Sequence, residues 1–161
     1  MTPTRDLIDN LVADWRRERP GADAAAMQIV GRIIRLGRSY EQAVSHLLRA
    51  HGMSYSDFDV LATLRRSGPP YESVPSQLQQ HVLLTSGAMT ACLRRLESAG
   101  LIVRRATAQD RRKLSAQLTP KGFATVESLI DQRFALARQS LAGLDADQIA
   151  ATEDMLRRLG R

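Results

Sequence analysis

The chain has 161 residues, 25% charged and 43% hydrophobic, with 23 Lys and Arg against 17 Asp and Glu for a net charge of +6. A chain of this size buries roughly 70% of the surface it exposes when unfolded, which excludes a disordered tail and any need for a disulfide staple or a structural metal. One cysteine, Cys92, and three scattered histidines give no internal disulfide and no zinc-ligand set, so no metal or cofactor is expected.

In chain order, Leu7, Ile8, Leu11, Val12 and Trp15 fall at helical spacing before Arg19-Pro20-Gly21 stops the pattern, which predicts a short amphipathic helix within residues 1–20. A longer helix follows from about Asp23, with Val30, Ile33, Ile34, Tyr40, Val44, Leu47 and Leu48 on one stripe and Gly52 at its end. Ser56 reads as the N-cap of the next helix, which places Asp59 at its third position, turns Phe58, Leu61 and Leu64 inward and ends before Gly68-Pro69-Pro70. A short helix over Pro75–Val82 and a longer one over Ser86–Ala99, capped by Thr85 and stopped by Gly100, are joined by about three residues, as in a helix-turn-helix.

Beyond Gly100 the period becomes alternating. Residues 101–105 and 114–118 read as two strands of a hairpin with a basic tip, Gln109-Asp110-Arg111-Arg112-Lys113. Thr119 and Pro120 then open a long helix with Phe123, Val126, Ile130, Phe134, Ala137 and Leu141 inward, and Asp145 with Gln148 forms a capping box for a last one. The predicted fold is mainly α with a small β-wing: a winged helix-turn-helix over 56–118, with helices 23–52 and 119–161 for dimerisation in a single domain spanning 1–161. The terminal helices carry more apolar stripe than the small winged core can cover, which predicts a homodimer on an inverted repeat with half-sites about 10 bp apart.

Between Arg94 and Lys113 there are seven bases and two acids, so +5 of the net +6 lies in twenty residues. Such concentration makes a local positive field suited to double-stranded DNA, the alternative being a solvated basic face. The N-terminus lacks an apolar signal core and no run reaches membrane-spanning length, which predicts a cytoplasmic protein without a membrane partner.

The segments Thr85-Ser86-Gly87-Ala88-Met89-Thr90, Arg94-Arg95-Leu96-Glu97, Ala99-Gly100-Leu101-Ile102, Asp110-Arg111-Arg112 and Leu118-Thr119-Pro120-Lys121-Gly122 together resemble the MarR family of bacterial regulators over about residues 56–122. Trp15-Arg16-Arg17-Glu18-Arg19-Pro20 and the run from Phe58 to Arg66 are similar to its PecS and HucR branch, which has an added N-terminal helix and typically responds to urate or related purines. The resemblance implies a homodimeric DNA-binding regulator, expected to act as a repressor, that a small effector such as urate or xanthine releases from its operator.

On a helical wheel Met89, Cys92, Leu93, Leu96 and Thr85 form the inner side of the Ser86–Ala99 helix, while Gly87, Ala91, Arg94 and Ser98 oppose them. Ser86, Gly87, Thr90 and Arg94, flanked by Arg95, therefore face DNA bases or phosphates. In the wing, Arg112 is the first candidate for minor-groove insertion, beside Arg111, with Asp110 fixing the loop. Ala91 and Cys92 stand where family members often carry larger polar residues, so base preference does not transfer.

Asp59 and Arg66 project from one side of their helix about 10 Å apart along its axis. The resemblance adds Trp15 and Arg104 as partners in a pocket for an anionic heterocycle, gripped by Arg66 and Arg104 with Asp59 accepting ring N–H groups. Otherwise Asp59 and Arg66 simply complement the helix dipole, Trp15 continues an apolar stripe, and Arg104 is a strand-surface charge or phosphate contact. No HExxH, P-loop, GxSxG or dinucleotide glycine motif is present, so an enzyme is not expected. The competing readings are a regulator of this type answering phenolic compounds or oxidants, the latter through Cys92, and a DNA-binding structural protein with no effector.

Overall fold

The structure is a computed structural model that describes residues 5–21, 23–82, 84–106 and 114–160. Its order of elements is α1 (Leu7–Glu18), α2 (Ala25–Arg49), α3 (Tyr55–Arg66), β1 (Glu72–Ser73), α4 (Pro75–His81), α5 (Ser86–Ser98), β2 (Ile102–Ala106), β3 (Leu114–Leu118), α6 (Pro120–Ser140) and α7 (Ala146–Leu159). The mainly helical fold with a small antiparallel wing is therefore present as the periodicity implied. The chain divides into two compact units, residues 1–52 and residues 53–161.

In the first unit α1 begins on a capping box: the Asp6 carboxylate accepts from the amides of Ile8 and Asp9, and the Asp9 side chain accepts from the Asp6 amide. Two acids in one turn need a cation, and Arg32 of α2 supplies it, at 3.0 Å from Asp6 and 2.9 Å from Asp9. Ile8, Val12 and Ala24 form the small apolar cluster between the helices. Of the remaining apolar stripe, Val44 and Leu48 are buried, whereas Leu7, Leu11, Ile29, Val30, Ile33 and Ile34 are exposed.

The second unit has its core at Phe58, Leu61 and Leu64 of α3, Leu78 of α4, Met89, Leu93 and Leu96 of α5, Ile102 and Ala116 of the sheet, and Val126 and Leu129 of α6. Leu78 and Val82 face inward from the α4 end, as their spacing implied. The N-cap of α3 is Ser54, not Ser56: the Ser54 hydroxyl accepts from the Asp57 amide and the Asp57 carboxylate accepts from the Ser54 amide. Asp59 consequently stands two residues further in, clear of the capping position assigned to it. Thr85 caps α5 as expected, but its side chain lies on the exposed side.

The sheet has the order β1-β3-β2, all antiparallel, with Ile102 opposite Leu118 and Ala106 opposite Leu114. Strand β1 has no counterpart in the sequence reading. Its two residues carry no periodicity, and it exists because Glu72 and Ser73 pair with Gln117 and Ala116.

The N-terminus of α6 is clamped onto the end of α5. Thr119 donates its hydroxyl hydrogen to the Gly100 carbonyl at 2.7 Å, and Lys121 Nζ donates to the Ala99 carbonyl at 2.9 Å. Gly122 permits the approach, because a Cβ there would lie 1.8 Å from the Leu101 carbonyl oxygen. Gly100 itself has φ +70, the left-handed turn that closes α5.

Candidate nucleic-acid interface and ligand cleft

Helix α5 has two chemically distinct faces. Met89, Cys92, Leu93 and Leu96 are buried, whereas Ser86, Gly87, Thr90, Ala91, Arg94 and Ser98 are all exposed. The start of the helix is set by Thr85, whose hydroxyl accepts from the Ala88 amide, and Thr90 folds its hydroxyl back onto the Ser86 carbonyl at 3.0 Å. A Cβ on Gly87 would meet nothing within 4 Å, so nothing inside the described chain requires a glycine there. Its bare backbone is available to something from outside. Arg94 makes no hydrogen bond or ion pair among the described residues, which leaves all five of its donors to an incoming partner.

Arg95 differs from its neighbour. Its guanidinium donates at 2.8 Å to Asp57 of α3, a carboxylate that is 6% exposed. Asp57 also accepts from the Ser54 amide and hydroxyl and from the Cys92 thiol at 3.2 Å, so every donor around it points at one carboxylate. Burial works against its charge, but Ser54 and Arg95 outweigh that and hold the carboxyl below its ordinary value. The same burial, together with the Asp57 hydrogen bond, pushes the Cys92 thiol up to about 12. Cys92 is thus a thiol that packs and donates, with no reactive anion at neutral pH.

The two long wing strands leave α5 through Gly100, and Arg104 of β2 pairs back to Glu97 of α5 at 2.6 Å. The hydrogen bond from Arg104 holds the Glu97 carboxyl below its ordinary value. Asp110, Arg111 and Arg112 lie outside the described residues.

A cleft of about 590 Å³ opens between α3 and α6. Asp59 and Arg66 both line it, so two of the four residues nominated for ligand binding are brought together. Arg104 is not among its lining residues, being held against Glu97, and Trp15 belongs to α1 of the first unit, where it is 52% exposed. The apolar wall is Phe58, Ala62, Ile130 and Phe134, and around it stand Arg65, Arg66 and Arg133 against Asp59 and Glu127. Arg133 sits 5.3 Å over the Tyr55 ring and donates to the Tyr55 hydroxyl at 3.1 Å. Arg65 pairs with Glu127 at 2.5 Å, which raises the guanidinium above its ordinary value. Sequence reasoning missed Arg65, Glu127, Arg133 and Phe134. The alternation of cation and aromatic in Arg133-Phe134 was a faint signal, but which face of α6 meets α3 is decided only by packing.

A helix-turn-helix with an exposed polar outer face, a two-stranded wing and a long capping helix is a DNA-reading arrangement. The MarR family model matches residues 53–114, which run from the start of α3 into β3. Over 141 residues the chain is 32% identical to the transcriptional regulator PecS of Dickeya dadantii, covering 88% of this chain and 85% of that one. The chain belongs to the MarR family. A second relative is the HTH-type transcriptional repressor Rv2887 of Mycobacterium tuberculosis, 33% identical over 128 residues, with 80% of this chain and 90% of that one covered. A crystal structure of a mutant MarR from Escherichia coli superposes with a TM-score of 0.66 at 25% identity, over 81% of this chain and 96% of that one. This MarR-family chain is a DNA-binding transcriptional regulator and not an enzyme. No helix among the described residues is long and apolar enough to cross a membrane.

Proposed function

We propose that this regulator is a cytoplasmic repressor that binds an inverted-repeat operator as a homodimer and is released by a small anionic aromatic ligand, of which urate or a related purine such as xanthine is the first candidate. The observation that carries the reading is the α3–α6 cleft, in which three guanidiniums and two carboxylates surround an aromatic wall. That balance favours a flat ligand with one negative charge and ring N–H groups, the anion taken by Arg66 with Arg65 or Arg133 and the N–H groups by Asp59. The similarity to PecS supports the purine branch.

Dimerisation is supported by the apolar residues that each unit leaves uncovered: Leu7, Leu11 and Trp15 on α1, and Ile149, Met155, Leu156 and Leu159 on α7. In that assembly Ser86, Gly87, Thr90 and Arg94 read the major groove. Arg95, braced by Asp57, contacts a phosphate, and Arg111 and Arg112 extend from the wing with Asp110 fixing its loop. Helix α3 lines the cleft with one face and holds α5 through the Asp57–Arg95 pair, so a ligand that shifts α3 shifts the reading helix. A ligand releases DNA only by preferring the non-binding state, and operator must then weaken ligand binding by the same factor. With this assignment Trp15 and Arg104 serve the site only through other contacts than the cleft wall.

A second reading, release by a phenolic acid, is favoured by the rings of Tyr55, Phe58 and Phe134 around a single guanidinium-rich mouth. A mobility-shift titration on DNA from the protein's own promoter, with urate, xanthine and salicylate in parallel at fixed salt, separates the two. Release by the purines alone, abolished by Asp59→Asn, supports the first; release by salicylate alone supports the second. Indifference to all three removes the effector and leaves a DNA-binding protein. Arg94→Ala should weaken operator binding by about 1–3 kcal/mol and relax preference at one base pair. A uniform loss across unrelated DNA would make Arg94 a phosphate contact instead.

A further inference from the structure

Between α3 and β1 the chain passes through Tyr71 with φ +61, a left-handed conformation that a residue with an aromatic side chain rarely adopts. Such a backbone persists only where the surroundings hold it. Two contacts to the ring and two backbone hydrogen bonds do so. The Tyr71 ring lies against Phe123 of α6, with centroids 5.0 Å apart. The Arg65 guanidinium sits 5.3 Å over the Tyr71 ring and 4.9 Å over Phe123, closing a three-membered stack. On the backbone side, the Tyr71 amide donates to the Gly68 carbonyl and its carbonyl accepts from the Leu118 amide at 3.1 Å.

That last bond is the first rung between this segment and β3. Glu72 and Ser73 continue the ladder with Gln117 and Ala116, and the Gln117 side chain donates back to the Pro70 carbonyl at 3.1 Å. Buried Ser115 adds a side-chain bond to Glu72. Strand β3 is the returning strand of the wing and pairs with β2 along its whole length. The position of Tyr71 is therefore transmitted to the wing by an unbroken series of hydrogen bonds.

Arg65 also lines the cleft. Only its Nε is engaged, by Glu127, and its two terminal nitrogens make no hydrogen bond among the described residues. We propose that Arg65 is a positioning residue for the wing: it clamps Tyr71 against Phe123, Tyr71 seats β1 on β3, and an anion entering the cleft loosens the hairpin by drawing on the same guanidinium. The last clause rests on the ligand reading given above; the first two do not. The competition is physical. A guanidinium that turns its terminal N–H groups to a carboxylate or an oxyanion gives up alignment with Glu127 and with the two ring faces, and those contacts are what hold Tyr71 in its strained form.

The test is amide hydrogen exchange on the full-length protein, read at Leu118 and, as an internal control, at Leu129 in the core of α6. Without ligand, Arg65→Gln and Tyr71→Leu should each speed exchange at Leu118 by at least tenfold, Tyr71→Phe should restore the wild-type rate, and Leu129 should not change. An unchanged Leu118 rate in Arg65→Gln overturns the proposal, as does a parallel rise at Leu129, which would mean general loosening. Should Tyr71→Leu fail to fold, Arg65→Gln against Tyr71→Phe decides. Saturating urate and, separately, salicylate should speed Leu118 exchange in the wild type by a similar factor, and have no further effect in Arg65→Gln. A probe that binds and releases the operator while leaving Leu118 unchanged overturns the coupling. If neither probe binds, the ligand reading fails, and the ligand-free variants still decide whether Arg65 positions the wing.

Discussion

Helices α3 and α7 begin in the same way, on capping boxes built from Ser54 with Asp57 and from Asp145 with Gln148, and they differ by two residues in length. Seven of the twelve residues of α3 are buried, and none of the fourteen in α7. Capping and amphipathic spacing thus determine that a helix forms but not what it buries. Helix α3 is enclosed by α4, α5, α6 and the sheet within one unit, whereas Met155, Leu156 and Leu159 on the apolar side of α7 are left half exposed by the described residues. A helix of this length is marginal alone in water, and the homodimer proposed above would cover its stripe.

The sharpest way to break the enclosed side is Gly122→Ala. One methyl group there meets the Leu101 carbonyl at 1.8 Å, and the obstacle is backbone that cannot turn aside. Separation of α6 from the end of α5 should cost more than about 4 kcal/mol and abolish cooperative unfolding at the wild-type midpoint, as read by urea denaturation. A loss under about 1 kcal/mol would mean that the α5–α6 clamp is slack.

The uncovered side should respond differently. Leu156→Asp places a charge on the α7 stripe without touching the core of residues 53–161. If α7 carries the proposed dimer, sedimentation should show the wild type as dimer and the variant as monomer, and operator affinity should fall about a hundredfold through the loss of two-headed binding, while the unfolding midpoint of the winged core changes little. Equal loss of core stability would refute the division between enclosed and uncovered helices.

A smaller effect is expected at the link from α3 to α5. Asp57→Asn leaves Arg95 without its anion and should destabilise by about 2 kcal/mol, less than a fully buried pair would because the Arg95 side chain is 54% exposed. The sign of the pH dependence follows from the lowered carboxyl. The folded form holds the proton less tightly than the unfolded one, so the contribution is complete above the ordinary value of 3.8 and is lost as pH falls through and below it. The stabilities of wild type and Asp57→Asn should therefore converge progressively as pH falls below 3.8. Curves that stay parallel would assign the effect to hydrogen-bond geometry and not to charge.

The pair also shows where sequence reasoning stops. Ser54 and Ser56 are each followed three residues later by an aspartate, so the capping signal is degenerate by two residues. What selects Ser54 is tertiary: Asp57 lies under Cys92 and Arg95 of α5 and accepts from both. Thr85, Gly100, Thr119 and Pro120 were legible because each acts within its own turn. The exposed face of α5 was legible for the same reason, from its period. Half the cleft was not, because Arg65 and Glu127 stand 62 residues apart and their pairing depends on which sides of α3 and α6 meet. Strand β1 escaped for a related reason, since a two-residue strand is specified by its partner alone.

Cys92 is where the two faces of α5 give the smallest expected effect and a decisive one for the oxidant reading. Its thiol is fully buried and raised to about 12, so the protonated form dominates at pH 7. It is also the chain's one cysteine, which leaves no partner within the chain for a disulfide. Serine keeps a donor to Asp57 in nearly the same volume, so Cys92→Ser should cost about 1 kcal/mol or less. Wild type and Cys92→Ser should then hold the operator equally well before and after peroxide, measured by anisotropy on labelled DNA. Release of the wild type alone would show that α5 opens far enough to expose the thiol, and would overturn the assignment of this face as static packing.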